Sequence, residues 1–194
     1  MPLPGRRRAP VDWLIVGLGN PGSEHAATRH NIGFEIAKAL AMRWGLPKPR
    51  SKYRGLLTGG RTGPGGPRIA ILRPQTYMNE AGQSVGPARG ALKVPLERVL
   101  VLHDEIDLPF GDIRVRVGGG LAGHNGLKSL KQALGSADFA RVRVGVGRPP
   151  TTDPDGVAAY VLSRFREPRG DVELLVEHAA DAAERVVLDP AGPS

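Results

Sequence analysis

The 194-residue sequence contains no cysteine, which excludes disulfides, thiolate zinc sites and a thiol nucleophile together. It also lacks long apolar runs. None approaches the ~18–20 residues that span a bilayer. The basic start, Met1-Pro2-Leu3-Pro4-Gly5-Arg6-Arg7-Arg8, is not followed by an apolar stretch and small-residue cleavage site in signal-peptide order. The expectation is therefore a cytoplasmic protein, with residues 1–10 a disordered basic tail, residues 11–188 one domain and residues 189–194 a loose C-terminus. Carboxylates are the scarcer charge: 19 Asp and Glu stand against 27 Lys and Arg, for a net charge of +8. Several of them crowd the last segment (Asp171, Glu173, Glu177, Asp181, Glu184), so positive charge is concentrated earlier. Such a balance suits an acidic partner, nucleic acid or a membrane surface, with plain solubility as the alternative.

What is present reads as alternating strands and helices. Trp13-Leu14-Ile15-Val16 is a continuous apolar run ending in the turn Gly17-Leu18-Gly19-Asn20-Pro21-Gly22, as for a strand buried on both faces. Ile32, Ile36, Leu40 and Trp44 recur every fourth residue and predict a helix from about Asn31, stopped by Gly45 and Pro47. A hairpin with a mobile Gly/Pro-rich tip at 59–67 returns along Ile69–Leu72. A helix is expected from about Thr76 to Lys93, kinked or broken at Pro87. Val99–Leu102 is a second buried strand that runs into His103-Asp104. Ile113, Val115 and Val117 alternate with Arg114 and Arg116, and Val142, Val144 and Val146 with Arg141 and Arg143, so each strand is expected to have a buried face and a wet, arginine-bearing one. Between them lies a helix with Leu127, Leu130 and Leu134 inward and Lys128 and Lys131 outward; a last helix spans roughly Arg169 to Val187. The class is α/β: a single domain with one mixed twisted sheet and helices on both faces.

In such sheets ligands gather beyond the carboxyl ends of the strands. There the chain delivers Asn20, His30, Asn79 and Asp104, and a Gly-rich loop, 118–123, presents His124-Asn125 at a helix start. Taken singly, each residue has a plain alternative. Asn20 serves as a turn former, His30 as a satisfied core or surface histidine, Asp104 and Asn125 as caps, the arginines as solvated faces. Only the combination points to chemistry. Gly17-x-Gly19-x-x-Gly22 matches a dinucleotide-binding pattern, but no helix starts at once and no acidic residue closes a second strand about 20 residues on. His25 and His30 are five apart and there is no His-Glu-x-x-His pattern, so a metal site is poorly supported. No Gly-x-Ser-x-Gly elbow is present either.

The combined motifs resemble bacterial-type peptidyl-tRNA hydrolase. They are Gly17–Gly22 with Thr28-Arg29-His30-Asn31-x-Gly33; Arg73-Pro74-x-Thr76-Tyr77-Met78-Asn79; His103–Gly111; Gly118–Leu127; and Arg141–Pro149. The resemblance covers about residues 12 to 187. His25 departs from it, standing where the family usually has an aromatic. The resemblance implies hydrolysis of the ester between a peptide and the 3′ ribose of tRNA, by a monomer, with no cofactor, no metal and no membrane partner. It implies His30 as general base, Asp104 as its partner and Asn79 at the oxyanion. It places Asn20, Tyr77, Met78, His124 and Asn125 against the substrate. For tRNA it implies a basic surface on which Arg116 and Arg143 match the family's positions, with Arg114, Arg141, Lys128 and Lys131 as further candidates. A non-catalytic RNA-binding module on the same fold is the leading alternative. A nicotinamide-dependent oxidoreductase and a metal hydrolase built on His25, His30, Asp104 and His124 follow it.

Overall fold

Residues 10–193 are described by a computed structural model; the expected tail lies outside them, apart from Pro10. Seven strands form one sheet in the order β2-β3-β4-β1-β5-β7-β6. The strands are β1 (Trp13–Gly17), β2 (Arg50–Lys52), β3 (Gly55–Arg61), β4 (Arg68–Pro74), β5 (Val99–Glu105), β6 (Ile113–Val117) and β7 (Ala140–Gly145). The central strands β4, β1, β5 and β7 are parallel. Antiparallel strands flank them on both sides, so the sheet is mixed.

Its helices are α1 (Ile32–Arg43), α2 (Gly82–Leu92), α3 (Asn125–Leu134), α4 (Pro154–Val161) and α5 (Arg169–Leu188). Alternation along β1 sends Trp13 and Ile15 into a core shared with α1 and α5, and Leu14 and Val16 into another shared with α2 and α3. Helices thus cover both faces, which is why the central strands read as unbroken apolar runs. Where α1 crosses β1 the backbones nearly touch. A Cβ on Gly17 would run into the Gly33 carbonyl, and one on Gly33 into the Leu102 carbonyl. These two glycines bring the start of α1 down onto the end of β5.

Several expectations need correction. Gly59, Gly60 and Arg61 are not part of the hairpin tip; they pair with Ala70, Ile69 and Arg68, and only 62–67 turn. The helix expected from Thr76 is a short 3₁₀ turn, Met78–Glu80, followed by α2. Pro87 does not break α2, which continues to Leu92 with Pro87 on its exposed side. The wet face of β7 is also wrong at Arg141, which is buried because β7 is an interior strand under the Gly-rich loop. On β6 the reverse holds: Val115 and Val117 are exposed, because an edge strand is only partly covered. No helix among the described residues is long and apolar enough to cross a membrane.

Candidate active site

His30 sits in a 3₁₀ turn, Arg29–Asn31, that leads into α1. Asp104 lies in the last part of β5, fully paired with β7 and buried. The close α1–β5 approach brings them together: His30 Nδ1 is 3.0 and 2.9 Å from the two Asp104 carboxylate oxygens. A carboxylate only accepts, so the ring proton sits on Nδ1 and leaves Nε2 with a free lone pair. Burial disfavours the charged ring. The charge and hydrogen bond of Asp104 outweigh burial and hold the His30 pKa above the ordinary imidazole value. Burial likewise opposes ionisation of Asp104, but the adjacent His30 and His124 hold its carboxyl well below the usual carboxylate range.

His124 is the second ring on Asp104, with Nε2 2.8 Å from Oδ1. Its Nδ1 accepts from the amides of Gly126 (3.1 Å) and Leu127 (3.3 Å), which makes it the N-cap of α3. Asn125, for which capping was the plain alternative, is the first helical residue and is exposed. Behind these rings, His103 is wholly buried on β5. Desolvation first, then the neighbouring His124 and Arg141, push its pKa down to about 3.

Asn20 is buried and fixed by three bonds. Its backbone amide donates to Asn31 Oδ1 (2.8 Å), and its carbonyl accepts from Asn31 Nδ2 (2.8 Å). Its Oδ1 accepts from the Met78 amide (2.7 Å). That last bond sets the carboxamide orientation and leaves Nδ2 to donate elsewhere. Asn31 was assigned no role from sequence. Its signal was its place beside His30 in the motif, but the backbone it locks is visible only in three dimensions. Met78 is buried, while Asn79 and Tyr77 beside it are exposed. Gly126 admits the Met78 sulfur, 2.5 Å from where a Cβ would stand, so α3 and the Met78–Glu80 turn pack tightly.

The structure brings together His30, Asp104, His124, Asn20 and Met78; Tyr77, Asn79 and Asn125, their neighbours in sequence, are exposed. His25 does not join it. His30, Asp104 and His124 are the one group among the described residues able to hold a metal ion, with ligand atoms within 4.8 Å of one another. Two amides occupy His124 Nδ1, however, so its Nε2 carries a proton toward Asp104 and offers no lone pair there. The dinucleotide reading is not supported: α1 starts ten residues beyond Gly22, whereas the pattern requires a helix that follows the glycine turn at once. A cavity of about 990 Å³ lies elsewhere, lined by residues such as Tyr53, Leu57, Arg68 and Lys93, and includes none of these groups.

Cross-strand register puts Arg114 opposite Arg143 and Arg116 opposite Arg141, so the four share one face of the sheet. Their fates differ. Arg114, Arg116, Lys128 and Lys131 are exposed. Arg143 is paired with Glu105 at 2.9 Å. Arg141 is 1 % exposed and donates to the carbonyls of Gly118, Gly119 and Gly120. Its guanidinium is used to hold the loop, so the expectation of a direct tRNA contact is replaced by a structural one. Arg29, also unassigned from sequence, is buried; it donates to the Tyr160 and Arg164 carbonyls and lies 4.0 Å over the Tyr160 ring. It thereby fastens the end of α4 beside His30.

Comparison with known proteins identifies the family. The family model described as peptidyl-tRNA hydrolase matches residues 14–191. A peptidyl-tRNA hydrolase of Mycobacterium avium is 47 % identical over 184 residues, covering 92 % of this chain and 94 % of that one. One from Syntrophotalea carbinolica is 48 % identical over 172 residues, covering 88 % of each. The crystal structure of the Acinetobacter baumannii peptidyl-tRNA hydrolase superposes with a TM-score of 0.81 at 38 % identity, covering 91 % of this chain and 88 % of that one. The chain belongs to the peptidyl-tRNA hydrolase family.

Proposed function

We propose that the chain hydrolyses the ester between a peptide and the 3′ ribose of tRNA, with water as nucleophile and no covalent intermediate or metal. The observation that carries this is the buried His30–Asp104 pair, which turns the His30 proton to Nδ1 and leaves Nε2 free to take one. His30 Nε2 removes a proton as water attacks the ester carbon, and Asp104 stabilises the imidazolium. The carbonyl electrons move onto oxygen, where the free Nδ2 of Asn20 and the exposed Asn79 are the candidate donors. Collapse breaks the bond to the ribose oxygen, which takes the proton back from His30. In this reading Met78, Tyr77 and Asn125 line the peptide.

A positioned base contributes about 10²–10⁴ in rate and one oxyanion donor about 10²–10³. Together they suffice for an ester without a covalent step. Arg114, Arg116, Lys128 and Lys131 are the groups free to meet phosphates, with Arg143 beside them and partly neutralised by Glu105. Phosphate contacts of this kind position tRNA without reading its sequence. The reading includes a monomer acting in the cytoplasm. Its test is release of the acyl group from N-acetyl-aminoacyl-tRNA, with wild type beside His30→Ala. The variant should lose activity by about 10²-fold or more while still binding tRNA. No release by wild type, with RNA bound, would leave only an RNA-binding module.

A further inference from the structure

We propose that His124 is a positioning residue, which clamps Asp104 with one ring nitrogen and the start of α3 with the other, so that the Gly-rich loop and the catalytic pair are held as one unit. This rests on the reading of His30 and Asp104 given above and assigns His124 a task other than touching substrate.

The geometry excludes a free ring. The His124 side chain is 7 % exposed and both nitrogens are engaged. Because Nδ1 accepts from two amides, the proton must sit on Nε2, facing Asp104. Flipping the ring or protonating Nδ1 would break both amide bonds. The absence of a side chain on Gly126 lets the ring lie against the helix start: a Cβ there would stand 3.0 Å from His124 Cε1. The loop before it is held at its other end by Arg141, and it passes through Ala122 in a left-handed conformation that a free loop would not favour. His124 and Arg141 thus fix both ends of the segment that leads to Asn125.

The arrangement has a chemical consequence. Asp104 Oδ1 is shared by two N–H donors, from His30 and His124. Each donor draws charge from the carboxylate and weakens its hold on the other. Removing the His124 donor concentrates that charge on His30, which then keeps its proton to higher pH. Other titratable groups around His30 leave this balance alone. His103 on β5 donates Nδ1–H to the Asp104 carbonyl and stays neutral. On α1, Glu35 pairs with Lys38. Arg29 turns away to α4, over Tyr160.

The test uses His124→Asn and His124→Ala in the intact chain, with kcat and kcat/KM for N-acetyl-aminoacyl-tRNA measured against pH beside wild type and His30→Ala. Asn is a good N-cap but too short to reach Asp104 as well. His124→Asn should therefore keep its melting temperature close to wild type. The acid limb of its kcat/KM profile should move up by about half a pH unit or more, and kcat should fall severalfold. His124→Ala should show the same shift together with lower stability. A profile with an unmoved acid limb in the folded Asn variant overturns the proposal, as does a raised KM with kcat and pH profile unchanged, which would mark a substrate contact. Activity retained by His30→Ala would instead defeat the underlying assignment of the base.

Discussion

At the scale of single residues, the site is organised around one carboxylate. Asp104 keeps its charge although buried, because imidazole N–H groups face it, and it returns that charge as proton affinity to His30. The sign is definite. A general base works when neutral, and the raised pKa means activity is lost as pH falls through a value above that of ordinary histidine. Asp104→Asn removes the charge, so the acid limb should move to lower pH, while kcat drops by about 10²-fold or more as the tautomer and the imidazolium lose support. An acid limb that moved upward would contradict the assignment. His30 and Asp104 were legible in the sequence because they stand in long motifs of chemically specific residues. The role of Asn31 was not, since its partner is a stretch of backbone. Nor was the cap on α3: histidine is not among the residues expected to cap, and the more usual Asn125 stood next to it.

At the scale of elements, legibility followed burial. β1 and α1 carry continuous or periodic apolar residues and were read close to their observed bounds; β5 was read only to Leu102 but runs on through Asp104 to Glu105, because those polar residues pair with β7. β2, Arg50-Ser51-Lys52, carries no apolar residue and exists through its pairing with β3; α4 buries none of its residues and is held by Arg29. β2 leaves no pattern to read, and α4 is marked by its start, the N-cap Asp153 before Pro154, rather than by apolar periodicity. The β6–β7 pair shows a subtler limit: alternation gives the face of an arginine but not its depth. Arg141 and Arg143 share a face, yet one is buried under the loop and the other meets Glu105. Arg141→Ala should accordingly act through the fold. Losing a buried guanidinium that serves three carbonyls should cost about 2–4 kcal/mol in denaturant unfolding, with the salt dependence of tRNA binding unchanged. A stability equal to wild type with a flattened salt slope would restore Arg141 to the tRNA surface.

At the scale of the molecule, charge is segregated. The acidic α5 is partly neutralised by Arg43 of α1, which pairs with Glu177 at 3.0 Å and Asp181 at 2.8 Å. The exposed cations of β6 and α3 lie on the side that bears the Gly-rich loop. A polyanion approaching the protein is therefore drawn to that side and repelled from α5, and its affinity should fall with salt. Arg116→Ala should raise KM and lower the slope of log affinity against log salt by about one, without changing kcat or the acid limb. An unchanged slope would remove Arg116 from the phosphate contacts.

The placement of those cations on β6 has a second effect. β6 is an outer strand, with Val115 and Val117 partly open to solvent and one row of backbone groups unpaired. Such a rim invites a second chain to add a strand, and the guanidinium groups of Arg114 and Arg116 discourage it by mutual repulsion. The cations proposed to meet tRNA phosphates would thus also guard against polymerisation, and a bound polyanion would itself neutralise that guard while sterically replacing it.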